Sequence, residues 1–312
     1  MFCPCRTPIM SSQLPVFPAQ PTLYTLPGFA AIRLTGEERV KYLQGQVTCD
    51  VAALTPGQQT LGGHCDPKGK LWSDFRLLTL ASALLLVLRR SALARELPEL
   101  KKFAVFSKVE IVEAPHTLAG LAGSGCDALM ADTFGLTGSG LIPGGMAVRL
   151  EADRWLLASE SLPALTLPEG SEGDWMGFEI LAGLPHLEAP HQGEYIPQMI
   201  NLQALDGISF TKGCYTGQET VARAKYRGAN NRALFLLEGN AGREVSAGDT
   251  LELRLGENWR RSGTVINVWQ EGDALLVSAV LPKDTEADAE FRLKEDEGSA
   301  LRLRPLPYEL VD

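Results

Sequence analysis

A single thiol, Cys214, stands in the run TKGCYTGQETVARAKYRG at residues 211–228. Thr216 and Glu219 have the T-G-Q-E spacing of a capping box, which predicts a helix from Gly217 to about Tyr226 with Gly228 as its stop. A sulphur two residues before such a cap faces unpaired amide N–H groups and the positive end of the helix dipole. Lys212 adds positive charge two residues away. Both effects favour the thiolate, so the chemistry implied is that of a reactive sulphur. Gly213 and Gly217 leave room for a close approach by backbone or ligand, and Tyr215, Gln218 and Glu219 complete the run. The competing reading is an inert, buried cysteine at a helix start, a common place for free cysteine.

No histidine follows Cys214 at a useful spacing, so a Cys–His nucleophile is not indicated. His64, His116, His186 and His191 read as surface or capping residues. Lys212, Arg223, Lys225, Arg227 and Arg232 form a local basic excess, with Arg223 and Arg227 on one helix face and Lys225 turned away. That set is either a solvated face or a site for an anion such as a glutamate tail or an RNA phosphate.

The elements that would position these groups follow from the pattern. Residues 1–22 are rich in Pro, Ser and Gln and read as a disordered arm, with Met10 an alternative start. A strand at FAAIRLTG leads into a helix capped by Thr35 and Glu38. Two apolar stretches flank the turn Asp66-Pro67-Lys68-Gly69, a hairpin signal. Residues 173–187 read as a helix ended by Gly183 and Pro185. After Gly228 the chain turns to short alternating strands broken by Gly and Asp, the pattern of a small antiparallel β-barrel, which places a boundary near 229. The mixture predicts an α+β fold, with an arm at 1–22, an α+β region at 23–228 and a barrel at 229–312. Neither a dinucleotide fingerprint nor a P-loop motif occurs.

Composition narrows the function classes. At 312 residues the chain is long enough for two or three domains. Its net charge of −9 argues against a dedicated non-specific nucleic-acid binder, which carries a basic excess. The six cysteines show no paired spacing in the body of the chain, so neither a disulfide framework nor a metal site is expected, and a reducing cytoplasm suits them. Cys3 and Cys5 form a lone Cys-x-Cys in the arm. The longest apolar run, at 77–88, is too short to span a bilayer, and the first residues lack the apolar segment of a signal peptide.

The run KGCYTGQE at 212–219 resembles the signature of the YgfZ-type proteins, a folate-binding branch of the aminomethyltransferase (glycine-cleavage T-protein) superfamily. KYLQGQVTCDV (41–51), HCDPKGKLWSDFRL (64–77), ELKKFAVFSKVEI (99–111), the run 196–234, GENWRRSGTV (256–265) and PLPYEL (305–310) are similar to that family too. The resemblance implies a three-domain ring: two interleaved α+β lobes that bind tetrahydrofolate or a one-carbon derivative, closed by a C-terminal barrel. It implies support for assembly or repair of iron–sulphur enzymes, including those that methylthiolate tRNA, with Cys214 as the functional residue and tRNA an indirect partner. Phe29 and Trp175 fall at the family's aromatic folate contacts. Two departures stand out. Leu181-Ala182-Gly183 replaces a Glu-Ala-Gly whose carboxylate would bind the pterin, and Glu179, about 200° round a helix from Leu181, is a poor substitute on this reading. Ser73 stands where a catalytic aspartate is expected, with Asp74 next to it on the opposite face of a strand. Aminomethyl transfer is therefore not expected; a one-carbon transferase and a tRNA-binding module are the alternatives.

Overall fold

The computed structural model describes residues 14–228 and 230–310. Cys3 and Cys5 lie outside the described residues. The chain builds two interleaved α+β lobes and a closed barrel. The interleaving begins at once. Thr22–Thr25 belongs to a six-stranded sheet, the next strand, Phe29–Thr35, to a five-stranded one, and the chain returns at Thr117–Ala122 to pair antiparallel with Thr22–Thr25. The five-stranded sheet runs Gln59–Cys65, Leu71–Thr79, Leu84–Arg89, Phe29–Thr35, Glu110–Glu113 in spatial order. The six-stranded sheet runs Glu169–Gly170, Thr22–Thr25, Thr117–Ala122, Arg154–Ser159, Gly145–Glu151, Gly140–Ile142.

Five α-helices accompany them among the described residues: α1 (Arg39–Gln44), α2 (Arg90–Lys101), α3 (Cys126–Phe134), α4 (Glu172–Leu181) and α5 (Gln218–Arg227). α4 is the pivot. Its Trp175, Met176, Phe178 and Ile180 join one apolar cluster with Tyr24 and Leu156 of the six-stranded sheet, Phe29 and Val87 of the five-stranded sheet, and Leu236, Trp269 and Leu276 of the barrel. Burying large aromatic side chains at one point gives each unit a reason to stay, at about 2 kcal/mol per fully buried side chain. The barrel closes from Arg232–Asn240 through Ala274–Pro282, Asn258–Glu271, Thr250–Leu255, Glu290–Leu293 and Asp296–Arg304. It keeps its own core, including Leu237, Val277 and Phe291. No helix of the described residues is long and apolar enough to cross a membrane.

The hairpin over 59–79 forms where the turn chemistry predicts, with Asp66 Oδ1 accepting from the amides of Lys68 and Lys70, each at 2.8 Å. Both predicted capping boxes are absent. Thr35 is still in its strand and donates to Glu110 at 3.3 Å, while Glu38 accepts from the Lys108 amide, so α1 starts at Arg39 without a side-chain cap. α5 is capped by Gly217 in the left-handed region, not by Thr216. Tertiary partners captured the side chains that local spacing assigned to caps. Of the segment read as an arm, Pro15 is buried and Thr22 opens a strand, while Val16, Phe17, Ala19 and Gln20 are exposed.

The true side-chain cap is at α4, where Ser171 Oγ accepts from the Asp174 amide at 3.0 Å. Ser171→Ala is expected to cost about 1 kcal/mol, read as a lower denaturation midpoint with an unchanged denaturant slope.

Candidate functional site

The loop before α5 holds Cys214 in solvent while fixing the residues on both sides of it. The Lys212 ammonium turns inward. It donates to the carbonyl oxygens of Gln44 and Val47 at 2.6 Å and of Cys49 at 2.8 Å, and lies 4.9 Å from the Tyr215 ring centroid. Burial pulls its pKa down to about 8 against the opposing pull of Cys49 and Asp50, and the three carbonyls hold it as a cation at neutral pH. Its charge is therefore committed to the backbone at the end of α1. Tyr215 is buried, and the Thr216 amide donates to Gly45 O at 3.1 Å. Gln218 Oε1 accepts from the Tyr215 amide at 3.3 Å.

Gly217 closes the loop and must be glycine. Its φ is 81°, and an added Cβ would meet Asp66 O at 2.6 Å and Gly69 Cα at 2.8 Å, both in the hairpin turn. The thiol loop is thus clamped between α1 and that turn. Within it Gly213 and Cys214 are exposed, and a Cβ on Gly213 would meet nothing within 4 Å. Among the described cysteines, Cys49, Cys65 and Cys126 are buried, and burial pushes the Cys49 thiol up to about 12 and Cys126 up to about 11. Glu219 is exposed and bonded to Arg223 at 2.6 Å.

The basic residues near this loop go to separate partners. Arg223 pairs with Glu219, Lys225 lies 3.8 Å over the Phe210 ring, and Arg232 donates to Ser262 O at 3.3 Å. Lys212 is the buried anchor already described.

A second constellation lies where α4 meets the five-stranded sheet. Phe29, Asp74, Trp175, Glu179 and His186 line a tight chamber of about 20 Å³, room for about one water. Phe29 and Trp175, matched from sequence, do come together here, and the sequence missed the polar groups beside them. Trp175 and Glu179 are i, i+4 on α4, hence on one face. Glu179 therefore faces the chamber, and Leu181, 200° round, packs on the apolar cluster outside it. The correction is geometric: the angle to Leu181 was right, and the chamber lies on the side of Glu179. Asp74 also lines the chamber, while the preceding Ser73 is buried with its hydroxyl unpartnered outside that lining.

His186 is a chamber residue, not a surface one. Its Nε2 lies 2.8 Å from Glu179 Oε2, and its ring meets Phe29 edge-on at 5.2 Å. His64 and His191 are buried as well, paired to Glu96 and to Val265 O. The partner of His64 is distant in the chain, but Glu179 stands only seven residues before His186, and His191 does cap as read, its Nδ1 accepting from the Glu188 amide at 3.0 Å. Burial would raise the Glu179 carboxyl, but the Arg154 guanidinium, then the hydrogen bond and charge of His186, outweigh it and hold the pKa at about 2. Asp74 goes the other way: burial raises it more than His186 and the Leu187 amide, 2.6 Å away, lower it. The chamber thus holds two carboxyl groups whose surroundings drive them apart. Among the described residues no cluster of three or more His, Cys, Asp or Glu could hold a metal ion.

Two stability outcomes follow. Lys212→Met strands three carbonyl acceptors and is expected to cost roughly 2–4 kcal/mol in denaturant unfolding. Asp74→Asn keeps an acceptor for the Leu187 amide and removes a buried charge. A raised folded pKa costs stability above the ordinary aspartate value of 3.8 and nothing below it. The Asn variant should therefore melt higher than wild type at pH 7, with the gap closing as pH falls toward 3.8.

Known proteins resemble both parts of this molecule. The family model described as the YgfZ beta-barrel domain matches residues 230–296. The tRNA-modifying protein YgfZ of Yersinia pseudotuberculosis serotype O:1b (strain IP 31758) is 46% identical over 324 residues, covering 98% of this chain and 97% of the relative. The protein of the same name from Serratia proteamaculans (strain 568) is 44% identical over 326 residues, covering 99% and 97%. Among solved structures, the glycine cleavage system aminomethyltransferase T from Bartonella henselae matches with a TM-score of 0.66 at 18% identity, over 93% of this chain and 87% of that one, which shows a shared fold. With near-complete coverage on both sides at such identity, and the barrel matched besides, the chain belongs to the YgfZ family of tRNA-modifying proteins.

Proposed function

We propose that this chain is a folate-binding accessory protein that supports assembly or repair of iron–sulphur enzymes, including those that methylthiolate tRNA, and that Cys214 is the thiol through which it acts. The observation that carries the proposal is the contrast among sulphurs. Three described cysteines are buried, and the fourth is held in solvent by a loop whose neighbours on both sides are anchored. A thiol held this way reaches a partner protein without a loop rearrangement. One thiolate supplies one ligand where iron–sulphur clusters take several, so the client enzyme provides the rest. An exposed free thiol suits a reducing cytoplasm. The family's name connects this to tRNA, and tRNA is reached through the client enzymes.

Tetrahydrofolate or a one-carbon derivative is the ligand proposed for the chamber. The groups fit it chemically: Phe29 and Trp175 supply aromatic surface, and Asp74 and Glu179 supply carboxyls for pterin N–H donors. The size does not fit, since about 20 Å³ excludes a pteridine ring. Neither ring offers a free stacking face. Trp175 lies against Gly120 and Tyr24, and Arg89 lies 4.7 Å over Phe29.

A one-carbon transferase is the second reading, and Asp74 in the chamber favours it. Its Oδ1 is tied to the Leu187 amide at 2.6 Å, so that oxygen is already engaged and not free to take a substrate proton. Purified protein is expected to release no tetrahydrofolate product from methylene-tetrahydrofolate and an aminomethyl donor.

The central test is Cys214→Ser in a strain deleted for this protein. Methylthiolated tRNA, measured by mass spectrometry of nucleosides, should fall to the empty-vector level while the purified variant melts as wild type does. Full restoration by the serine variant would remove the proposal. Peptide-mapped alkylation of the native protein should label Cys214 well before Cys49, Cys65 and Cys126.

A further inference from the structure

The apolar cluster shared by the two lobe sheets ends in charge. Phe29 and Ala31 enter it from the strand Phe29–Thr35, Leu118 from Thr117–Ala122, and Leu156 and Ala158 from Arg154–Ser159. Side chains two residues apart share a strand face. The next positions along these three rows are Arg33, His116 and Glu160, so the end of the cluster away from Phe29 receives a guanidinium, an imidazole and a carboxylate. Phe29 and Arg33 stand about 13 Å apart along their strand, which separates this end from the chamber beside α4. A cleft of about 310 Å³ opens here, lined by these three residues and by Leu80, Ala83 and Leu141 among others. That volume lies at the low end of small-ligand pockets.

The same three residue types meet at the chamber, where Glu179 binds both Arg154 and His186. At the far end the set is unfinished. Arg33 Nη1 donates to Glu160 Oε1 at 3.0 Å, and His116 Nδ1 lies 3.8 Å from the same oxygen, beyond hydrogen-bond reach. The His116 side chain, read from the sequence as a surface or capping group, is only 2% exposed. Both of its ring nitrogens are buried without a partner, and so is Arg33 Nε. Orphaned buried nitrogens are uncommon in folded proteins, and three of them border one cleft. Burial lowers the His116 pKa, against a raising pull from Glu160 and with a further lowering by Arg33.

The orphans select the ligand. A cation would meet the Arg33 charge, and a wholly apolar molecule would leave all three nitrogens as they are. An oxyanion accepts from the Nε edge of Arg33 while Glu160 holds Nη1, and it accepts from His116 as well. We propose that this cleft binds a small organic oxyanion, a carboxylate or phosphate head on a short apolar body, with the head on Arg33 and His116 and the body against Leu80, Ala83 and Leu141. Glu160 is the internal competitor for Arg33. The site is independent of the chamber and of the thiol loop, since it shares no lining residue with either.

The test uses benzoate, phenyl phosphate and benzyl alcohol, which share a ring and differ in the head, by calorimetry on the full-length protein. At least one anion should bind roughly tenfold or more tighter than the alcohol, the scale of one charge-assisted hydrogen bond; the tighter anion assigns the head. Arg33→Met should lose that preference, and Arg33→Lys should keep part of it. Wild type should bind benzoate more tightly as pH falls from about 8 to about 6, because the bound anion draws a proton onto His116. His116→Phe should weaken benzoate and flatten this dependence, yet melt no lower than wild type, since it removes two unpartnered nitrogens. Glu160→Gln should tighten both anions. Equal affinity for anions and alcohol overturns the proposal, as does wild-type anion affinity in both Arg33→Met and His116→Phe. Absence of binding by either anion overturns it too.

Discussion

The centre of the molecule depends on one buried carboxylate. Glu179 sits in α4 with its side chain almost wholly out of water, a position that costs several kcal/mol unless the charge is paired. Arg154 of the six-stranded sheet and His186 of the loop after α4 supply the pairing. His186 is in turn fixed by the barrel, since its amide donates to Asn267 Oδ1 at 3.1 Å and its carbonyl accepts from Asn267 Nδ2 at 2.8 Å. The charge on Glu179 therefore ties a helix, a sheet, a loop and the barrel to one another. An apolar core alone would join these units without orienting them, whereas charged partners at hydrogen-bond distance fix rotation as well as contact.

That constraint also explains why the chamber holds polar groups and yet is tight. Its lining is satisfied from within: Glu179 by Arg154 and His186, Asp74 by the Leu187 amide, Phe29 by Arg89. Each of these is a group a ligand would otherwise engage. The thiol loop is mechanically a separate matter. Its anchors are the end of α1 and the turn at 66–69. One element reaches both places: the strand Leu71–Thr79 carries Asp74 in the chamber, and the turn preceding it packs on Gly217.

Much of this was legible in the sequence, and the misses share a cause. The hairpin and the barrel after 229 are local patterns, carried by turn residues and alternation within a few positions. The capping boxes were local too, and they failed because Glu38 found the Lys108 amide and Glu219 found Arg223. Lys212 read as a charge beside the thiol; its distant partners, the carbonyls of residues 44, 47 and 49, make it a structural pin. Glu179 was visible in one respect. Its i+4 spacing from Trp175 puts it on the chamber face once Trp175 is placed there, so the clue lay in α4 itself and was weighed against the wrong neighbour. Arg89 had no such clue, because its partners Glu172 and Glu188 lie far along the chain, whereas Glu179 stands only seven residues before His186.

The Lys212 pin bears on what kind of thiol Cys214 is. A lysine set beside a cysteine is usually credited with stabilising the thiolate through space. Here the ammonium is enclosed by three carbonyl oxygens, and its field outside that cage is reduced by the partial charges it touches. The loop therefore fixes the position of Cys214 through the residues on both sides of it. A sulphur in a fixed, solvent-facing place is suited to meeting a metal or a second sulphur on a partner surface, where the partner's own charge favours the thiolate at the moment of contact. An activated nucleophile would call for the base or the helix mouth within reach, and the structure puts the first helical residue of α5 four positions beyond the cysteine. The fixed, solvent-facing place of Cys214 is the feature on which the proposed accessory role rests.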